Sequence, residues 1–176
     1  MKILDTVLPP AFLIEPERAE DERGFFARIF DHELLAGRLE AERFVQHSVS
    51  FNERRGTLRG IHYQAAPHEE AKLVRCTAGA VWDVVVDLRP QSPHYLRSAG
   101  FELTAANART LYVPKGFGHG FLTLTDAAEL FYQISESYHP ELARGIRWND
   151  PALNIAWPFP PAIVWQRDAS FPDLPV

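Results

Sequence analysis

The chain has 176 residues, of which 46% are hydrophobic and 23% charged, with a formal net charge of −5. That much apolar material excludes a disordered chain. The acidic balance speaks against a nucleic-acid-binding surface, and the length fits one domain over 1–176. Cys76 is the only cysteine, so no intrachain disulfide forms, which suits a reducing compartment. The start, "MKILDTVLPPAFLIEP", has no long apolar run and meets Pro9 and Pro10 early. Neither a signal peptide nor a membrane span is expected, and the expected location is the cytoplasm.

Fourteen prolines and ten glycines cut the sequence into short pieces. In chain order, the first clear element is "DHELLAGRLEAE". Its pattern predicts a helix over 31–42, capped by Asp31, with Leu34, Leu35 and Leu39 as an apolar stripe. Strands follow. "TLRGIHYQ" (57–64) is unusual, because Arg59, His62 and Gln64 interrupt a strand, and buried polar groups cost free energy unless partnered. "AVWDVVVDLRP" (80–90) alternates, with Trp82, Val84, Val86 and Leu88 on one face and Asp83, Val85 and Asp87 on the other. "RTLYVPKG", "HGFLTLTD" and "AELFYQISESY" continue the series, separated by turn signals at 114–116 and 125–126. Many short strands with almost no helix predict an all-β sandwich or barrel, and a jelly roll fits the length. The last stretch, "WNDPALNIAWPFPPAIVWQRD", mixes proline and tryptophan. It is expected to pack as irregular structure over a sheet.

A small barrel has one interior, so inward polar residues from several strands converge there. The candidates are Arg59, His62, Lys72, His119, Tyr132 and Asp168. Singly, each also fits a structural role: a hydrogen-bonded strand histidine, a surface lysine, a core tyrosine with its hydroxyl satisfied, a turn aspartate. Together they suit proton transfer beside a carbonyl. Such chemistry needs a base, a cation to hold the enolate and an acid to return the proton. A neutral imidazole such as His62 suits the first role, with a carboxylate to orient it. Lys72 suits the second and Tyr132, from the opposite face, the third. A metal-dependent jelly-roll enzyme usually has two histidines one residue apart on a strand, but His62 has Gly60 and Gln64 at those positions. The histidines are scattered, which disfavours a metal centre and leaves ligands assembled in space as the route to one. No phosphate loop and no serine or cysteine nucleophile motif is present, and Cys76 lies in an apolar strand where it is expected to be inert.

Six segments, "DERGFFARIF", "FVQHSVSFNERRGTLRGIHYQ", "EAKLVRCTAGAVWDVVVDLRPQSP", "LYVPKGFGHGF", "ELFYQISESYHPE" and "IRWNDPALNIAWP", occur in an order and spacing that resembles the dTDP-4-dehydrorhamnose 3,5-epimerases. The resemblance runs from about Leu8 to Leu174. It implies a cupin-type jelly roll that epimerises C3 and C5 of a nucleotide-linked 4-keto-6-deoxyhexose, with no metal or redox cofactor, as a homodimer. It further implies that His62 is the base, oriented by Asp168, that Lys72 lies near the keto oxygen and that Tyr132 is the general acid. Arg23, Gln46, Arg59 and His119 match substrate-binding positions, and Arg167 stands at a binding position where the family often has lysine. Other departures are Arg28 and Ala143, where glutamate is frequent, Trp165 for serine and Gly118 for alanine. These keep two further readings open: an epimerase of C3 or C5 alone, or one for a different nucleotide sugar. A metal-dependent cupin or a non-catalytic sugar-nucleotide binder is the reading from another class.

Overall fold

The structure is a computed structural model that describes residues 1–40 and 43–174. Its strands are β1 (Lys2–Asp5), β2 (Phe12–Glu15), β3 (Arg18–Asp21), β4 (Gly24–Ala27), β5 (Gln46–Asn52), β6 (Thr57–Gln64) and β7 (Lys72–Ala78). After them come β8 (Ala80–Asp87), β9 (Ser98–Thr104), β10 (Thr110–Val113), β11 (Phe117–Thr123), β12 (Ala128–Ile134), β13 (Ala143–Gly145) and β14 (Ile163–Val164). Two one-turn helices, α1 (His32–Leu35) and α2 (Gln166–Ala169), complete the described elements. One sheet has the order β1-β2-β10-β7-β12-β5 and the other β13-β6-β11-β8-β9, with β14 added in parallel beside β6. From β5 to β8 each strand crosses to the opposite sheet. The result is the jelly-roll sandwich read from the strand pattern, with the two sheets left as separate layers and not closed into one barrel.

Alternation along each strand builds the layers. Leu13, Val74, Cys76, Leu111, Val113 and Leu130 of the first sheet meet Val81, Val85, Leu103, Phe117 and Phe121 of the second in one buried cluster. The outer face of β8 carries Val84 and Val86, with Trp82 and Leu88, as the sequence alternation predicts. They pack with Ile61, Ile146, Leu153 and Trp157. The proline- and tryptophan-rich tail therefore covers the second sheet, irregular except for the two-residue ladder strand β14 and the one-turn α2, and Trp157 Nε1–H donates to the Trp148 carbonyl at 2.9 Å. On the outside of the first sheet, Phe12, Ile14, Leu73 and Tyr112 are covered by Leu35, Phe30, Leu39 and Phe44. Phe12 and Tyr112 stack there with ring centroids 4.8 Å apart.

The helix expected over 31–42 is present but much shorter. Asp31 caps it, accepting from the N–H groups of Glu33 and Leu34. Helical structure ends at Leu35, and Gly37 takes φ +79 in the turn that follows. The backbone leaves the helical path at Ala36, at φ −56 and ψ 133, and Gly37 completes the turn in the left-handed region, so Leu39 reaches its apolar neighbours from beyond the turn. Positions 41 and 42 of that expected helix lie outside the described residues.

The two strands at the centre of the second sheet approach unusually closely. Gly60 has φ +122, and a Cβ there would lie 2.5 Å from Gly120 Cα and 2.8 Å from the His119 carbonyl oxygen. The β6–β11 register is irregular at this place, between His119 and Phe121. Gly60→Ala is therefore expected to be destabilising through both backbone strain and steric contact. Strain of about 1–3 kcal/mol alone lowers Tm by roughly 2–12 °C in a domain this size. Gly24, at φ +124, has nothing within 4 Å of such a Cβ, so Gly24→Ala should lose less. Thermal unfolding of the two variants measures the difference.

Candidate functional site

A cavity of about 300 Å³ opens between the sheets, lined by Ser48, Val49, Ser50, Arg59, His62, Lys72, His119, Phe121, Tyr132 and Ile134. Five of the sequence candidates, Arg59, His62, Lys72, His119 and Tyr132, thus share one space. They come from both layers. Register explains how: His62 pairs with His119 across β6 and β11, while Tyr132 lies between Ser48 on β5 and Val74 on β7. The imidazoles belong to one wall and the phenol and ammonium to the other.

Asp168 stands behind His62. It is 1% exposed, and its Oδ1 is 2.8 Å from His62 Nε2. Its Oδ2 accepts the Gly60 N–H at 3.1 Å. Burial opposes the charged carboxylate, but the hydrogen bond and charge of His62 and the Gly60 N–H outweigh it and hold the carboxyl below its ordinary value. With Nε2–H donating to Asp168, the lone pair on His62 Nδ1 is left to accept a proton. Phe171 closes against the ring edge-on, with centroids 6.2 Å apart. Gly145 makes room for this ring, since a Cβ there would lie 2.1 Å from Phe171.

A second carboxylate–imidazole pair is buried deeper. His119 Nε2 lies 2.8 Å from Asp83 Oδ1. Tyr132 meets His119 edge-on at 6.1 Å. Burial, reinforced by the Asp83 charge, pushes the Tyr132 phenol well above its ordinary value, so at neutral pH it carries a proton it can donate. Lys72 Nζ pairs with Glu70 at 2.8 Å, and Arg59 Nε–H donates to Asn52 Oδ1 at 2.8 Å. The site therefore holds a proton acceptor, two cations and a proton donor around one space.

Asp83, Glu70 and Asn52 are polar partners of the candidate residues that the sequence did not single out. Asp83 had a signal, because alternation puts it on the inward face of β8 with Val85, where a carboxylate needs a partner. Glu70 and Asn52 had none beyond their sequence positions. Arg167 and His62 line a smaller adjoining opening of about 130 Å³ with Tyr63, Gln64, Glu70, Tyr138, Ala143 and Arg144. Gln46 begins β5, opposite Ile134, and is not among the residues lining either space. Arg23 lies on the β3–β4 turn with a side chain 85% exposed and paired to Asp21, so the fold of this chain does not bring it to the cavity. A wider groove of about 700 Å³ lies elsewhere, but its Arg89 is committed to Asp87 at 2.6 Å. Cys76 is buried, which raises its thiol pKa and supports the inert reading.

The Asp168 shift fixes a stability test. A carboxylate depressed in the folded state contributes stability above its unfolded pKa of about 3.9, and loses it as pH falls through the lower folded value. Asp168→Asn should therefore be less stable than wild type at pH 7. The gap should shrink as pH drops below about 4, as read by urea unfolding between pH 7 and pH 3.

A sequence model described as dTDP-4-dehydrorhamnose 3,5-epimerase matches residues 5–175. A Shigella flexneri protein named dTDP-4-dehydrorhamnose 3,5-epimerase is 39% identical over 169 residues, covering 96% of this chain and 93% of that protein. The crystal structure of the Elizabethkingia anophelis enzyme of that name superposes with a TM-score of 0.92 at 39% identity, covering 98% of this chain and 96% of that one. The Legionella pneumophila dTDP-6-deoxy-D-glucose-3,5-epimerase, solved in complex with dTDP-4-keto-L-rhamnose, gives a TM-score of 0.89 at 38% identity, covering 97% and 90%. With matches over nearly its whole length, this chain belongs to the dTDP-4-dehydrorhamnose 3,5-epimerase family.

Proposed function

We propose that the protein epimerises C3 and C5 of dTDP-4-dehydro-6-deoxy-D-glucose, giving dTDP-4-dehydro-L-rhamnose. The observation that carries this reading is the placement of an Asp168-backed imidazole and a protonated phenol on opposite walls of one cavity, with Lys72 between the sheets beside them. His62 Nδ1 takes the proton from a carbon beside the ketone, and Asp168 stabilises the imidazolium. The electron pair of the broken C–H bond moves to the carbonyl oxygen, where the Lys72 ammonium balances the enolate charge. Tyr132 returns a proton to the same carbon from the other face, inverting it, and exchange with solvent resets both groups. C3 and C5 both flank the C4 ketone, so one enolate site serves both. The adjoining opening, with Arg144, Arg167 and Tyr138, offers two guanidinium groups and an aromatic face to the nucleotide diphosphate. No cofactor enters this scheme. The residues of the site span β5 to α2, so we read the chain as one domain, and the unpaired Cys76 is compatible with a cytoplasmic location.

Deuterium exchange followed by position-resolved NMR tests the assignment. Solvent deuterium should enter both C3 and C5 of dTDP-4-dehydro-6-deoxy-D-glucose. His62→Asn should lower exchange by roughly 10²–10⁴-fold, the usual contribution of a positioned base. Tyr132→Phe should slow formation of the inverted product more than exchange itself. Label at one carbon alone would replace this reading with a single-site epimerase, and wild-type exchange in His62→Asn would remove His62 as the base.

We also propose that the chain works as a homodimer. Strand β2 is paired on both sides, by β1 and β10, so it offers no free edge itself, and the edges of that sheet are β1 and β5. What is uncovered lies elsewhere: Phe51 on edge strand β5 is 54% exposed and Phe26 on the β3–β4 hairpin 75% exposed. Apolar side chains this open are what an interface covers. Sedimentation equilibrium should give a dimer for the wild type and a shift to monomer for the Phe26→Glu/Phe51→Glu variant. A wild-type monomer, or an unshifted variant, is the contrary result.

A further inference from the structure

Among the described residues, one group of three metal-capable side chains comes together, and it lies outside the cavity. His68, Glu136 and His139 bring their ligand-capable atoms to within 4.8 Å of one another. His68 lies in the loop between β6 and β7, and the other two lie in the loop between β12 and β13. His68 Nδ1 is 3.6 Å from Glu136 Oε2. Nitrogen and oxygen ligands at about 2.0–2.2 Å around a tetrahedral ion stand about 3.3–3.5 Å apart, so this pair is already close to that spacing. The His68 and His139 rings stack at 3.9 Å with 19° between planes, and to share an ion they must splay. Both histidines are partly exposed, which makes that rotation cheap.

The backbone beneath them is held firmly. Gln64 is buried, and its Nε2 donates to the carbonyls of His68 at 2.6 Å and Ser137 at 3.0 Å. Its Oε1 accepts the His139 N–H at 2.8 Å. Ser135 and Ala71 add a reciprocal link, Ser135 N–H to the Ala71 carbonyl and Ala71 N–H to Ser135 Oγ. One buried amide thus fixes both loops in the register that juxtaposes the side chains. Glu141 Oε1 lies 3.1 Å from His139 Nδ1. A carboxylate on one ring nitrogen fixes the tautomer and leaves the other nitrogen's lone pair for a metal.

We propose that His68, Glu136 and His139 form a binding site for one late first-row divalent cation of the zinc type, with Glu141 as the positioning carboxylate. Two imidazoles and one carboxylate favour such ions over magnesium or calcium, which prefer all-oxygen shells. The ion clasps two loops at the rim of the adjoining opening, since Glu70 and Tyr138, which line it, sit within two residues of His68 and His139. Its role is structural and stands apart from the proton transfers assigned to His62 and Tyr132.

Isothermal titration of the metal-free full chain with ZnCl₂ tests the site. Wild type and His62→Asn should each bind one equivalent there, and Zn²⁺ should raise Tm by mass action. The His68→Gln/His139→Gln variant should lose that equivalent while keeping its metal-free unfolding curve. Glu141→Gln, at an exposed position, should bind roughly 10–100-fold more weakly, and it carries the test if the double variant fails to fold. No saturable binding in the wild type, unchanged binding in the double variant, or loss on His62→Asn alone would overturn the proposal.

Discussion

One buried carboxylate ties this molecule together. Asp168 arrives from the far end of the chain and bonds the ring of His62 and the N–H of Gly60 at once. A charge this deeply buried persists only when its oxygens are partnered. The pairing gives His62 a defined tautomer and docks the C-terminal segment, which runs beside β6 through β14. The same contact thus joins the tail to the cavity wall, and the depressed Asp168 carboxyl is its electrostatic signature.

The second dependence is the closeness of β6 and β11. Gly60 and Gly120 allow their backbones to approach within a distance no side chain permits. That approach sets His62 beside His119 and gives each imidazole its own carboxylate, Asp168 for one and Asp83 for the other. The first pair is open to the cavity and the second is almost wholly buried. Asp83 also acts across the cavity, because its charge helps keep the Tyr132 phenol protonated. The phenol on one sheet is tuned by a carboxylate on the other.

The jelly roll was legible because alternation is a local property: Trp82, Val84 and Val86 declare one face of β8 and Asp83 and Val85 the other, and both faces proved buried, one in the sandwich and one under the tail. The convergence of Arg59, His62, Lys72, His119 and Tyr132 was legible for a related reason, since inward polar positions on facing sheets have one place to go. The helix was overread. Its leucine spacing is helical, but the backbone turns away at Ala36 and Gly37 after one turn, and Leu39 packs without it. Arg23 and Gln46 were carried by family resemblance alone, and in this chain neither lines the cavity.

Residue order by itself determined the class of the fold, the family and the identities of the base, cation and acid proposed for the chemistry, because each rests on short-range pattern or on motifs contiguous in the chain. The resemblance already implied Asp168 behind His62; tertiary structure alone decided that Asp83 serves His119, that Glu70 pairs with Lys72, and that His68 meets His139 across two loops under the control of Gln64. Those partners are separated by up to 75 positions, or sit in loops without periodicity. Their meeting is set by strand register and loop closure, which no local pattern encodes.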